Sequence, residues 1–133
     1  MDHRRGRPSS VDDLVTAYLQ YATAALSGRA DAEPFWAWEA VDELTRQDPE
    51  ALWLFLLEAM RRTADDRSLA YLAAGPFEDL IVRYGEQFIE RIEIEARSEP
   101  RVLRALCGVW GRDSMAPAVA ERLDCLVAKE PPL

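Results

Sequence analysis

Apolar residues recur three and four positions apart along nearly the whole chain, and no stretch alternates at period two for long enough to make a strand. Val11, Leu14, Val15, Tyr18, Leu19, Ala22 and Leu26 form the first stripe. Ser10 is placed to cap it, Asp13 holds the capping-box position and Gly28 stops it. Pro34 opens a second helix with Trp38, Val41, Leu44 and Thr45 on its inner face. Asp48-Pro49-Glu50 then restarts the chain as an N-cap, a first-turn proline and a favourable acid. The helix over 51–62 carries Leu52, Trp53, Leu54, Phe55, Leu56, Leu57 and Met60. Apolar nearly all round, yet too short to span a bilayer, it is expected to be the central core element.

Further on, Asp65-Asp66 caps a helix over 67–74, and Gly75-Pro76 ends it and starts another over 77–84 that Gly85 stops. A helix over 86–97 faces Phe88, Ile89 and Ile92 inward. Glu99-Pro100 begins the next, with Leu103, Leu106 and Trp110 inside, and Ser114 opens the last, with Val119, Leu123, Leu126 and Val127. The pattern predicts an all-α protein: a disordered Arg-rich arm over 1–9, then one domain over 10–133 built as a stack of about seven to eight short helices in antiparallel hairpins. A shift of 51 residues lays Asp48-Pro49 on Glu99-Pro100, Val41 on Ile92, Leu52 on Leu103 and Phe55 on Leu106. That periodicity suggests HEAT-like hairpin repeats, against the plainer account that acid-proline starts recur in any helical protein.

Charge sharpens the picture. The formal net charge is −8, and because the first seven residues are net +2, the remaining 126 carry −10. A body this acidic repels nucleic acid and anionic lipid and favours encounter with a basic protein, though acidity also serves plain solubility. With no apolar run long enough for a signal or a span, no nucleic acid or membrane partner is expected, and the cytoplasm is the expected compartment. Lys129 is the one lysine among 16 basic residues.

Candidate chemistry is sparse. His3 is the single histidine and lies in the arm, so nucleophilic triads and histidine metal sites lack their usual base or ligand. Cys107 and Cys125 have no CxxC spacing and read as buried thiols. Dinucleotide and P-loop phosphate motifs are absent, and no catalytic residue, cofactor or metal is expected. Glu86, Glu90 and Glu93 share one helical face, as do Glu39, Asp42 and Glu43, and both sets read first as solvated faces, with Arg97 a helical partner for Glu93. Phe35, Trp36 and Trp38 cannot all be buried by one helix, which marks Trp36 as a candidate contact residue. Glu78 and Asp79 fall in the first turn of a helix, with Arg83, Arg104 and Arg112 as possible partners.

The stretch 69–112 carries a resemblance. It reads LAYLAAGPFEDLI at 69–81, Tyr84-Gly85-Glu86, FIERIE at 88–93, Pro100-Arg101, then RALCGVWG over 104–111. It resembles a family of small bacterial helical proteins catalogued as a domain of unknown function. The resemblance implies a bacterial origin and an all-α fold, and carries no catalytic residue over. Three functions stay open. The first is a non-catalytic interaction module, of the acidic immunity or antitoxin kind, that blocks a basic bacterial protein through Trp36, Glu78, Asp79, Glu86, Glu90, Glu93 and Arg104. The second is a ligand-binding or enzymatic domain with a carboxylate–arginine pocket of Glu78, Asp79 and Arg104. The third is a homo-oligomeric structural domain, such as a homodimer.

Overall fold

The computed structural model describes residues 10–28 and 34–133, and the expected arm over 1–9 lies outside the described residues. The chain runs α1 (Val11–Leu26), α2 (Phe35–Gln47), α3 (Pro49–Arg62), α4 (Asp66–Leu72), a π-helical turn (Ala73–Phe77), α5 (Glu78–Ser98), α6 (Pro100–Leu106), a 3-10 turn (Arg112–Ser114) and α7 (Pro117–Val127). Among the described residues there is no strand, so the protein is all-α. The helix starts follow the caps expected from sequence. Backbone N–H groups of Asp13, Ala51 and Ser68 donate to the side chains of Ser10, Asp48 and Asp65 at 3.1, 3.1 and 2.8 Å. Each bond satisfies a donor that the first helical turn leaves orphaned.

Helix α3 is the centre of the molecule. Leu52, Phe55, Leu56, Ala59 and Met60 are completely buried, and α1, α2, α4, α5 and α6 all pack against it. Burying a side chain of this size is worth about 1.5–3 kcal/mol. The apolar girdle is not complete: Leu54 is 57 % exposed, on the side of α3 that no helix covers.

Arginines tie the outer helices together. Arg62 of α3 reaches Asp12 (2.7 Å) and Thr16 (2.6 Å) on α1, and Arg91 of α5 holds Glu50 of α3 through two bonds of 2.7 and 2.8 Å. Arg101 of α6 donates to Thr63 Oγ1 at 2.7 Å, bracing the turn between α3 and α4. The planar fork of arginine suits such paired contacts, while solvent screening keeps each one weak beside the core.

Four sequence expectations change. Gly85 does not stop a helix, because α5 continues through it with a kink at Tyr84 (φ −131°, ψ 20°), whose hydroxyl donates to the Thr45 carbonyl at 2.8 Å. Gly85 instead lets α7 approach: a Cβ there would lie 2.9 Å from Val119 Cγ1. Trp110 is 64 % exposed rather than inside, because α6 ends at Leu106 and the tryptophan falls in the following loop. The last helix opens at Pro117, and Ser114 closes the 3-10 turn before it. Cys107 is half-buried, just past the end of α6, and Cys125 is exposed on α7.

Replacing Gly85 by alanine tests the α5–α7 contact. Overpacking against a stiff β-branched side chain costs about 1–3 kcal/mol, and the gain in helix propensity returns at most about 1 kcal/mol. Denaturant unfolding of Gly85→Ala should therefore show a net loss of stability. A double-mutant cycle with Val119→Ala should show the two positions to be coupled.

Candidate functional site

The break between α4 and α5 creates a concave site where three aromatic residues and two acids converge. Pro76 has no N–H to donate, and Gly75 leaves helical geometry (φ −107°, ψ −106°), so the chain swings through a π-helical turn. That turn faces α2 across a cavity of about 290 Å³. Tyr18 of α1, Trp38 of α2 and Tyr71 of α4 supply its aromatic walls, and Asp42 of α2 and Asp79 of α5 supply its charge. Gly75 and Thr45 contribute to its lining, the Thr45 hydroxyl being used internally on the Val41 carbonyl at 2.9 Å.

The aromatic wall extends beyond the cavity. Tyr71 and Tyr21 each lie against Tyr18, with centroids 6.4 and 6.2 Å away. Phe35 meets Tyr21 edge-on at 6.0 Å, and Trp38 stacks on Phe35 at 5.6 Å with planes 12° apart. Phe35 and Trp38 are 44 % and 39 % exposed, so this end of the row is open to a partner.

Electrostatics in the cavity are unbalanced. Burial raises the Asp79 carboxyl above its ordinary range; Arg83 opposes that shift, while Glu78 and Asp42 reinforce it. Asp79 makes no hydrogen bond or ion pair with a described residue, whereas Asp42 is held by Arg46 at 3.1 Å. The Tyr18 hydroxyl is pushed far above the usual phenol range by burial, with Tyr71, Tyr21 and Asp79 adding to it, so it stays neutral. A larger groove of about 530 Å³ between α1, α2 and α3 is lined by Leu14, Leu44 and Phe55, but its Ser10 and Asp48 side chains are already engaged as helix caps.

The residues singled out from sequence disperse. Asp79 alone enters the cavity. Glu78 accepts the Trp110 backbone N–H at 2.9 Å and sits where any side chain on Gly111 (φ +76°) would begin, so its work is structural. Arg104 donates to the Pro131 and Pro132 carbonyls at 2.7 and 3.2 Å and pins the C-terminal segment. The carboxylate–arginine trio thus has no common site. Glu93 clamps Arg122 of α7 through two bonds, one of 2.9 Å, instead of pairing with Arg97. Glu86 and Glu90 are exposed on the same side of α5. Trp36 is half-buried and packs on the core, and it is Trp38, expected on the inner face, that is exposed. Ala37, Val41 and Thr45 bury the inner face of α2 instead, because the narrow gap to α1 and α3 takes small side chains.

Spacing marks Tyr18 as an ordinary stripe residue and gives Tyr71 no role, so neither stands out as a site residue from sequence. A signal was present in the Gly75-Pro76 break, which ends a helix carrying Tyr71 and starts one carrying an acid.

Fold and site together define a small all-α protein with an acidic, aromatic-walled pocket. The chain belongs to a family of unknown function, DUF6869, whose model matches residues 26–130. No curated protein and no solved structure matches the chain. Among the described residues no helix is long and apolar enough to cross a membrane.

Asp79 is exposed at the cavity edge, so its partial burial beside Glu78 and Asp42 opposes folding only weakly when the carboxyl is ionised. Because the folded protein favours protonated Asp79, the stability this group contributes is complete below its ordinary value of 3.8 and is lost as pH rises through its raised folded value. Asp79→Asn mimics the protonated form. Its melting temperature should exceed that of the parent at neutral pH, and the gain should vanish in melts below about pH 3.8.

Proposed function

We propose that this protein is a non-catalytic interaction module of the cytoplasm that captures a basic bacterial protein, in the manner of an acidic immunity protein or antitoxin. The observation that carries the reading is the outer face of α2, where stacked Phe35 and Trp38 stand exposed beside Asp42 and the cavity. Exposed aromatic side chains supply apolar contact area and are enriched among interface hot spots. The surrounding charge, −8 for the whole chain, attracts a cationic partner and speeds encounter. The acidic face of Glu86 and Glu90 on α5 adds to the same field without belonging to the contact.

The hairpins α2–α3 and α5–α6 share an acid-proline hinge, with Asp48 and Glu99 as caps, and a HEAT-like pairing of these hairpins would present α2 as a docking ridge.

Tagged protein retained from a lysate of its own host, at low and at high salt, tests the reading. A stoichiometric basic protein that leaves in high salt is the expected result, with Trp38→Ala retaining markedly less of it. A partner whose retention ignores salt would overturn the electrostatic part. Dimers in sedimentation, with nothing else bound, would replace the reading with self-association.

A further inference from the structure

We propose that the cavity between α1, α2 and the π-helical turn is a receptor for a single guanidinium group, stacked on the aromatic walls and hydrogen-bonded by Asp79 and Tyr18. The inference deepens the reading above, and rests on it only for the positive charge of what is bound. It does not require the guanidinium to belong to a protein.

Tyr18 carries the first part of the argument. The residue is 2 % exposed, yet its hydroxyl forms no hydrogen bond with any described residue. It opens on the cavity, 4.0 Å from the point where a Gly75 side chain would begin. The ring is buried while the hydroxyl reaches the open cavity, where water serves it in the free protein and a ligand can replace that water. The hydroxyl wants either a donor or an acceptor in the cavity, and a neighbouring acid already wants a donor.

Asp79 carries the second part. Its exposed carboxylate lies at the edge of the same cavity with no ion pair to a described residue, under repulsion from Glu78 and Asp42. A ligand that brings positive charge and N–H donors relieves both groups at once. The third part is the wall. Cations bind over aromatic faces, and the rings of Tyr18, Trp38 and Tyr71 line the cavity.

Among organic cations these requirements select one. An alkylammonium is a strongly hydrated point charge that loses more on entering an aromatic cavity. A quaternary ammonium suits the rings but brings no N–H to Asp79 or Tyr18. Guanidinium is planar, weakly hydrated and edged with donors, so it satisfies faces and acceptors together. A volume of about 290 Å³ admits that head group with a short stem.

Methylguanidinium is the probe, titrated at low millimolar concentration into the full-length protein and followed by amide and indole N–H chemical shifts. Methylurea, neutral and of the same shape, and tetramethylammonium are the comparisons. Methylguanidinium should shift the Gly75 amide and the Trp38 indole saturably, and methylurea should not. Asp79→Asn should weaken binding by about tenfold, and Tyr18→Phe, which keeps the ring, by a smaller factor. Thermal melts establish that both variants are folded.

Affinity should fall as acid protonates Asp79, whose neighbours are Arg83 and Glu78 on α5, Asp42 on α2 and Tyr18 on α1. Asp79→Asn should lose that pH dependence. Equal shifts with methylurea, or unchanged affinity in both variants, would overturn the proposal. Tighter binding of tetramethylammonium would overturn the choice of guanidinium.

A blocked arginine-containing tripeptide binding more tightly than methylguanidinium would place the group on a protein, and equal affinity would point to a free small molecule. A basic partner that methylguanidinium cannot displace would sink this inference alone. Saturable methylguanidinium binding without any basic partner would sink only the interaction-module reading.

Discussion

Everything in this fold answers to the burial of α3. A helix with Leu52, Phe55, Leu56, Ala59 and Met60 wholly out of water has to be covered from several directions, and five other helices do so. In a chain of 133 residues few helices are left over for a second layer, so the outer faces of α2 and α5 remain in solvent. The arginine ties from α3 to α1, from α5 to α3 and from α7 to α5 then orient the cover rather than hold it on.

The cavity is a consequence of how that cover is cut. Pro76 removes a backbone donor, Gly75 leaves helical dihedrals, and the resulting π-helical turn meets α2 around the cavity. Side chains from α1, α2, α4 and α5 meet in the gap. The gap holds a carboxylate and a hydroxyl that make no hydrogen bond with a described residue, both open to whatever enters it.

The family assignment supplies no activity, so the argument for function rests on this arrangement. Acidic charge and exposed aromatic rings both favour a basic partner, and on the proposed reading the cavity adds one specific cationic group to that general attraction. General attraction speeds encounter, whereas a shaped site with unsatisfied acceptors discriminates between cations.

Local chemistry was legible in the sequence wherever a decision involves residues a few positions apart. The all-α class, the caps at Ser10, Asp48 and Asp65, and the central place of α3 follow from spacing and helix-end hydrogen bonding alone. Which acids meet which arginines was not legible. Glu93 has Arg97 four residues away and yet pairs with Arg122, because α7 packs across α5 and brings a two-pronged partner. Nor could spacing tell Trp36 from Trp38, since only the width of the gap under α2 decides which ring is turned out. Gly85 looks like a stop in a linear reading, and the approach of Val119 shows it to be a packing position inside a helix. The sequence by itself determined the helical class and the capped helix starts, because those energies are local. The pocket, its Tyr18 hydroxyl and Asp79 carboxylate, and its aromatic walls were decided only by tertiary packing, which joins groups as far apart as residues 18 and 79.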